Sequence, residues 1–336
     1  MRAINTIDTH TAGGPTRIIT GGLPPLRGST VADKMRCFEK EFDPLRRILM
    51  QEPRGHADMF GAVLTEPSSS DASLGAFFLT ARGYLATCVH SSIGVAAAGV
   101  ATGFIRTASR DSTSGIGMET PAGVVTLSPA FDQDALVGIS VRTAPAFVWT
   151  EARVKLVDGS RLNVSGAFSG TGIALVDVKE LTPASDHGPS ITGERIPSLA
   201  QKGVEVLKAL GDSAAIAHPS WDEAKPLELL MFWEDLGSHR YRDLVVNERG
   251  GVDRSPCGAA VGAKVADEVR GGRLGVGERI TVESVLGTRL RGQAARTTTV
   301  GSYPGVIPEI QGRAHITGFH NFVVEPQDSL GGFLVF

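Results

Sequence analysis

Two cysteines, Cys88 and Cys257, each precede a run of small and apolar residues. The first run, Ile93–Ala101, closes at Gly103, and the second, Ala259–Val269, closes at Gly271 and Gly272. This pattern predicts that each thiol opens a helix. A helix N-terminus carries backbone N–H groups without intrahelical partners and a partial positive charge. A thiol there is expected to ionise more readily than a free cysteine, whose pKa is about 8.5. The same N–H groups can hold a carboxylate. Two such helix ends facing each other would make an anion-binding slot with a thiol on either side. A thiolate on one face could then remove a proton from a carbon beside the carboxylate. A thiol on the other face could return one, and the N–H dipoles would stabilise the charge that develops.

Spacing alone leaves a plainer reading open, because free cysteine is among the most buried residue types and most are packing residues. Cys37, inside a predicted helix, takes that reading outright. Taken singly, Cys88 and Cys257 would take it as well. Metal binding is a poorer account of these cysteines, since the sequence holds no C-x-x-C or H-E-x-x-H spacing. It also lacks the G-x-S-x-G elbow of hydrolases and the G-x-x-x-x-G-K-[ST] phosphate loop. Gly166, Gly170 and Gly172 do not fit G-x-G-x-x-G and suit tight turns better.

The elements that must position the two thiols read as many short strands with few helices. Forty-one glycines recur between short apolar segments, a pattern of strands and tight turns. Predicted strands are 60–65, 75–79, 136–142, 172–178, 227–233, 243–246 and 279–285. From Thr30 to Leu49 one face carries Met35, Phe38, Phe42, Leu45 and Leu49, and Thr30 with Asp33 forms a capping pair. A further helix is predicted over 199–210, stopping at Gly211. There is no regular strand–helix alternation, so the class is α+β. A weak internal repeat accompanies the cysteines. Glu119-Thr-Pro-Ala-Gly123 follows the first, and Glu283-Ser-Val-Leu-Gly287 follows the second at a similar remove. Two halves of similar plan are therefore expected, 1–128 and 129–320, with a C-terminal strand at about 321–336 returning to the first. Residues 129–145 read as the crossover between them.

Bulk composition sets limits on partners. The chain has 336 residues, 42% of them hydrophobic and 21% charged, with a formal net charge of −3. No block of like charge marks a nucleic-acid or membrane surface. No apolar run approaches the length of a membrane span. Residues 1–10 lack a basic region followed by an apolar core, so no secretory signal is expected. Three cysteines, an odd number, fit a reducing, cytoplasmic compartment.

Several motifs together resemble one family. Asp253-Arg-Ser-Pro-Cys257-Gly258 is similar to the signature around the second catalytic cysteine of proline racemases and hydroxyproline 2-epimerases. Thr87-Cys88-Val-His90-Ser-Ser-Ile-Gly94 resembles the segment around the first. Asp8-Thr-His-Thr-Ala-Gly13, Arg54-Gly-His56-Ala-Asp58-Met-Phe60-Gly61 and Glu119–Gly123 resemble three further blocks, in the same order over nearly the whole chain. The resemblance implies a fold like that of diaminopimelate epimerase. Two pseudo-symmetric lobes would each wrap mixed strands around a central helix, with the active site in the cleft between them. It implies that Cys88 and Cys257 are an acid–base pair, that Asp253 holds the substrate amine, and that His90 lies beside the first cysteine. Backbone N–H groups of Val89, His90, Gly258 and Ala259 would hold the carboxylate, and neither pyridoxal phosphate nor a metal is implied. Phe60 resembles the aromatic that proline racemases place in the ring pocket. Asn247 stands where those enzymes tend to have a bulky apolar residue, and could bond a ring hydroxyl.

Within that family, dehydratases of trans-3-hydroxy-L-proline carry threonine at the second cysteine position, and one epimerase subgroup carries serine at the first. Both positions are cysteine here, which favours inversion of proline or 4-hydroxyproline, with Asn247 leaning toward the latter. Val89 and Ser91 stand where glycine is usual, Ala259 and Ala260 replace Thr-Gly, and Gly14 replaces Glu. The rivals are a dehydratase and a catalytically silent imino-acid-binding homologue. The expected partner is a small imino or amino acid, with no nucleic acid or membrane, and a homodimer is left open as the assembly. His56 with Asp58 suits a hydrogen bond in a turn, and His10 a structural or a catalytic role. His187, His218, His239, His315 and His320 show no ligand spacing.

Overall fold

The computed structural model describes residues 2–106, 115–181, 191–211, 215–216, 218–219, 224–329 and 331–332. Its first elements are β1 (Arg2–Thr11), β2 (Gly14–Gly21), α1 (Val31–Met50), β3 (Phe60–Thr65), β4 (Leu74–Thr80), β5 (Tyr84–Leu85) and α2 (Val89–Thr102). Next come β6 (Ile116–Thr120), β7 (Gly123–Asp132), β8 (Ala135–Arg142), β9 (Ala146–Lys155), β10 (Arg161–Phe168), β11 (Gly172–Asp177) and α3 (Ile196–Leu210). The last are β12 (Leu229–Gly237), β13 (Arg240–Asn247), α4 (Gly258–Arg270), β14 (Arg279–Glu283), β15 (Arg289–Val300), β16 (Tyr303–Gly312) and β17 (Ala314–Val324). The chain divides into two compact units, Met1–Val141 with Gln311–Phe336, and Arg142–Ile310.

In the first unit β1 and β2 form a hairpin whose turn has positive φ at Ala12 and Gly13, the geometry a two-residue reversal demands. Thereafter β2 pairs parallel with β3, β3 antiparallel with β4, β4 parallel with β6, and β6 antiparallel with β7. Parallel neighbours need a long crossover. Helix α1 lies in the first of these crossovers and α2 in the second. In the second unit β10 pairs antiparallel with β11, β11 parallel with β12, β12 antiparallel with β13, β13 parallel with β14, and β14 antiparallel with β15. Helix α3 fills the first parallel crossover and α4 the second. The same succession of pairings thus occurs in each unit. In each, a cysteine stands at the head of the second crossover helix.

Helix character follows from side-chain pattern. The N-cap of α1, Thr30, forms a reciprocal capping box with Asp33, and one face packs Phe38, Leu45 and Leu49 into the first core with Phe77 and Leu79. Helix α2 is apolar or small all round and buried from Val89 to Gly99, as a central helix must be. It packs on β1, β2, β3, β7 and β17 of its own unit and stops at Gly103, whose φ of 81° is the left-handed cap glycine tolerates. Helix α4 packs on β9, β10, β11 and β15. Its fully buried Lys264 is neutralised by Glu268 at 2.6 Å and Asp267 at 3.2 Å, and lies 3.6 Å from the centroid of Trp233. Arg273 closes this network on Glu268.

Several expectations needed correction. The passage from the first unit to the second falls within residues 129–145, at Val141 and Arg142, and it is made in strand, because most of these residues lie in β7 and β8; inward Ile139 and Val141 make β8 a half-buried strand. The C-terminal strand that pairs with β1 is Ala314–Val324, so the return to the first unit begins before residue 321; residues 330 and 333–336 lie outside the described residues, as does His187. Helix α3 begins at Ile196, earlier than the expected 199, with proline in its first turn, where a missing N–H costs nothing. Among the described residues no helix is long and apolar enough to cross a membrane.

Candidate active site

Cys88 is the N-cap of α2, with extended backbone. The first intrahelical bond runs from the Ser92 N–H to the Cys88 carbonyl, so the N–H groups of Val89 and His90 lie ahead of the helical ladder. The Ser92 hydroxyl donates to the same carbonyl at 2.6 Å. The start of the helix is tied to the β1–β2 hairpin, because the Thr11 hydroxyl donates to the His90 carbonyl at 2.8 Å. The buried Asp8–Arg17 pair holds that hairpin, and Arg17 donates onward to the carbonyls of Leu49 and Arg54. Around the sulfur, His90 Nδ1 is 3.5 Å away and Ser91 Oγ 3.2 Å. Phe60, at the start of β3, meets the His90 ring edge-on at 4.6 Å. Cys88, His90 and Phe60 therefore form one cluster.

Cys257 is the N-cap of α4, and Gly258 and Ala259 open its first turn. The first helical bond runs from the Val261 N–H to the Cys257 carbonyl. Asp253 is placed by the strand before it. Its N–H donates to the Val245 carbonyl at 3.1 Å, and Val252 bridges to Val246. The chain reverses between β13 and this segment around Asn247, whose Oδ1 accepts from the N–H groups of Arg249 (2.9 Å) and Gly251 (3.0 Å). This is an Asx-type turn. The structure thus commits the Asn247 oxygen to the reversal that brings Asp253 back beside Cys257.

The electrostatics around Cys257 overturn one expectation. Helix position predicts a lowered thiol pKa, yet burial pushes the Cys257 thiol well above its ordinary value. The Asp253 carboxylate adds to the rise through its charge and a hydrogen bond, and a bond from the Ala260 N–H opposes it. Desolvation and a neighbouring anion both favour the neutral thiol, and together they outweigh the helix end.

Composition gave no warning of a buried acid behind this cysteine. Asp243, on β13, is 2% exposed, and its Oδ2 has no hydrogen-bond partner among the described residues. Burial, and then the Asp253 charge, push its carboxyl well above the ordinary range, against the Cys257 N–H that donates to it. The available signal was a charged residue opening the apolar run Asp243–Val246 within the strand. An acid whose folded pKa exceeds its unfolded value of about 3.9 stabilises fully below that value and loses stability as pH rises toward the folded one. Asp243→Asn removes this loss. Its stability relative to wild type should therefore improve as pH rises from about 4.5 to about 7.5. Denaturant midpoints at both pH values check this, and an unchanged gap would contradict a protonated Asp243.

The other blocks of the sequence have local duties. The Glu119 carboxylate accepts from the Ser69 N–H (2.8 Å) and the Ser68 hydroxyl (2.6 Å), fixing a loop of its own unit. His56 Nδ1 accepts from the Asp58 N–H at 3.2 Å, within a turn. His10 stacks on His315 at 5.3 Å, and His320 lies 3.6 Å from Asp8. His218 packs against Phe147 and Phe168. All three cysteines are free thiols. No group of three or more potential metal ligands occurs among the described residues.

Comparison with known proteins gives concordant matches. The description of the proline racemase family fits residues 6–333. A proline racemase of Acetoanaerobium sticklandii is 34% identical over 339 aligned positions, covering 99% of both chains. A trans-3-hydroxy-L-proline dehydratase of Burkholderia cenocepacia is 33% identical, covering 99% of this chain and 98% of its own. Among solved structures, a hydroxyproline epimerase from Agrobacterium vitis with bound trans-4-hydroxy-L-proline superposes with a TM-score of 0.87 at 26% identity, covering 100% and 97% of the two chains.

Proposed function

The chain belongs to the proline racemase family, and from that premise we propose that it inverts Cα of proline or 4-hydroxyproline with Cys88 and Cys257 as its acid–base pair. The observation that carries the proposal is that each unit presents one cysteine as the N-cap of its second crossover helix, at the same point in the same succession of strands. The two-lobed arrangement implied by the resemblance is part of the proposal, because inversion requires a thiol on each face of one carbon. Asp253 receives the substrate's ammonium, and the leading N–H groups of α2 and α4 receive its carboxylate. In one direction the Cys88 thiolate removes the Cα proton and the Cys257 thiol protonates the opposite face. In the other direction the roles exchange. Burial is the larger cause of the raised Cys257 thiol and the Asp253 charge the next; an ammonium bound at Asp253 cancels the second, so substrate binding eases ionisation of that sulfur.

Proton transfer between two thiols and one carbon is complete without a cofactor, and three free thiols fit the cytoplasmic location in this reading. The lean toward 4-hydroxyproline rests on Asn247, whose Nδ2 would donate to the ring hydroxyl while its oxygen serves the turn. The dehydratase relative keeps a second reading in view, loss of water from trans-3-hydroxy-L-proline. Incubation in D2O with L-proline, trans-4-hydroxy-L-proline and trans-3-hydroxy-L-proline separates them. The proposal expects a deuteron at Cα of an inverted product from at least one of the first two, read by mass spectrometry and chiral chromatography. Dehydration of the third alone would transfer the assignment to the lyase. Binding without exchange of any of them, with thiols reduced, would leave a silent imino-acid-binding protein.

A further inference from the structure

The first thiol is surrounded differently from the second. Where Cys257 faces a carboxylate, Cys88 faces a chain of hydroxyls. Cys88 Sγ lies 3.2 Å from Ser91 Oγ, and the Thr16 hydroxyl on β2 donates to that same oxygen at 3.1 Å. Ser91 and Thr16 are 0% exposed and Cys88 is 8% exposed, so on this side the protein replaces water as the sulfur's solvent. Thr16 is itself anchored, because the Thr9 hydroxyl donates to its carbonyl at 3.4 Å.

The bond between Cys88 and Ser91 changes polarity with the sulfur's charge. While the thiol is protonated, its weak S–H donates to Ser91 Oγ. Once the proton leaves, the sulfur can only accept, and the Ser91 O–H turns to donate to it. Thr16 keeps donating to Oγ in both states and polarises that hydroxyl further. A hydroxyl donating to an anion is a stronger bond than a neutral thiol donating to a hydroxyl. The charged form therefore gains from the pair.

We propose that the Ser91 hydroxyl, held by Thr16, is a relay that stabilises the Cys88 thiolate, with Ser91 a catalytic residue on the reacting sulfur and Thr16 its positioning partner. It rests on Cys88 being one of the two acid–base thiols. Other titratable groups on the elements packed against α2 have their own partners. Asp8 pairs with Arg17, and His320 lies beside Asp8. His10 stacks on His315. Asp132 ends β7 at an exposed position, β3 carries none, and His90 is the imidazole beside the sulfur.

The test is the pH dependence of iodoacetamide alkylation, resolved by peptide mass spectrometry on the full chain, which reads each thiol whether or not the protein turns over. Ser91→Ala should move the midpoint of the Cys88 rate–pH curve upward by about one unit, the tenfold worth of one hydrogen bond to a charged group. The Cys257 curve should stay in place, and Ser91→Thr should restore Cys88. Thr16→Val, which keeps shape and removes the supporting hydroxyl, should give a smaller shift of the same sign, and it carries the test alone if Ser91→Ala does not fold. An unmoved Cys88 midpoint in the folded variants, or equal movement of both cysteines, overturns the relay. Loss of inversion with unmoved midpoints would do the same while leaving the two-thiol reading intact.

Discussion

Cys88→Ser and Cys257→Ser should each lower inversion of the true substrate about a thousandfold, within the ~10²–10⁴ typical of a lost general acid or base. A serine hydroxyl keeps the size and position of the thiol but surrenders its proton far less readily. Both directions should fail together, since every inversion uses both groups. Deuterium exchange at Cα gives a sharper reading. A variant keeping one thiol can still remove and return the proton on the face that thiol serves. Cys88→Ser should therefore retain slow exchange of one enantiomer without inversion, and Cys257→Ser slow exchange of the other. Residual exchange by both variants on the same enantiomer, or inversion above about a tenth of wild type in either, would exclude a pair of opposed thiols.

Asp253→Asn should produce two effects of opposite sign. Breaking the contact between this half-buried carboxylate and the substrate ammonium, which the bound substrate would desolvate, is expected to cost about 2–5 kcal/mol, which is roughly thirtyfold in kcat/KM or more. Yet the same charge is, after burial, the leading cause of the raised Cys257 thiol, so its removal should make Cys257 ionise at lower pH. Alkylation of Cys257 near neutral pH should then speed up in a protein that turns over poorly, while Cys37, far along the sequence in α1, keeps its wild-type rate. General loosening would accelerate both thiols. A kcat/KM within threefold of wild type, or a slower Cys257, would remove Asp253 from the amine site.

The division between what local pattern reveals and what it hides is visible in particular elements. Strand 60–65, helix α1 with its Thr30–Asp33 box, the stop of α2 at Gly103 and the thiols at two helix starts were all legible. Each depends on side-chain period or on a cap chemistry confined to a few adjacent residues. Strand β1 was not legible, since its inward positions include Thr6 and Asp8, buried at 2% and 7%, and polar residues at inward positions erase the alternation that announces a strand. Strand β15 was missed for the converse reason, because its arginines and threonines reach solvent along much of its length. Asn247 drew attention as a pocket residue by its position relative to Asp253, whereas its oxygen closes a turn.

The sequence by itself determined which atoms could do chemistry, because thiol identity, helix-opening position and the Asp-Arg-Ser-Pro-Cys-Gly run are properties of neighbours along the chain. Only the tertiary structure decided how those atoms are charged. The Cys257 thiol is raised by burial and by a carboxylate delivered through the Asn247 turn, Asp243 is buried behind its N–H, and Cys88 rests against a serine braced by a strand 75 residues away. Proton affinity depends on desolvation and on charges within a few ångströms, and those are set by which distant segments pack together.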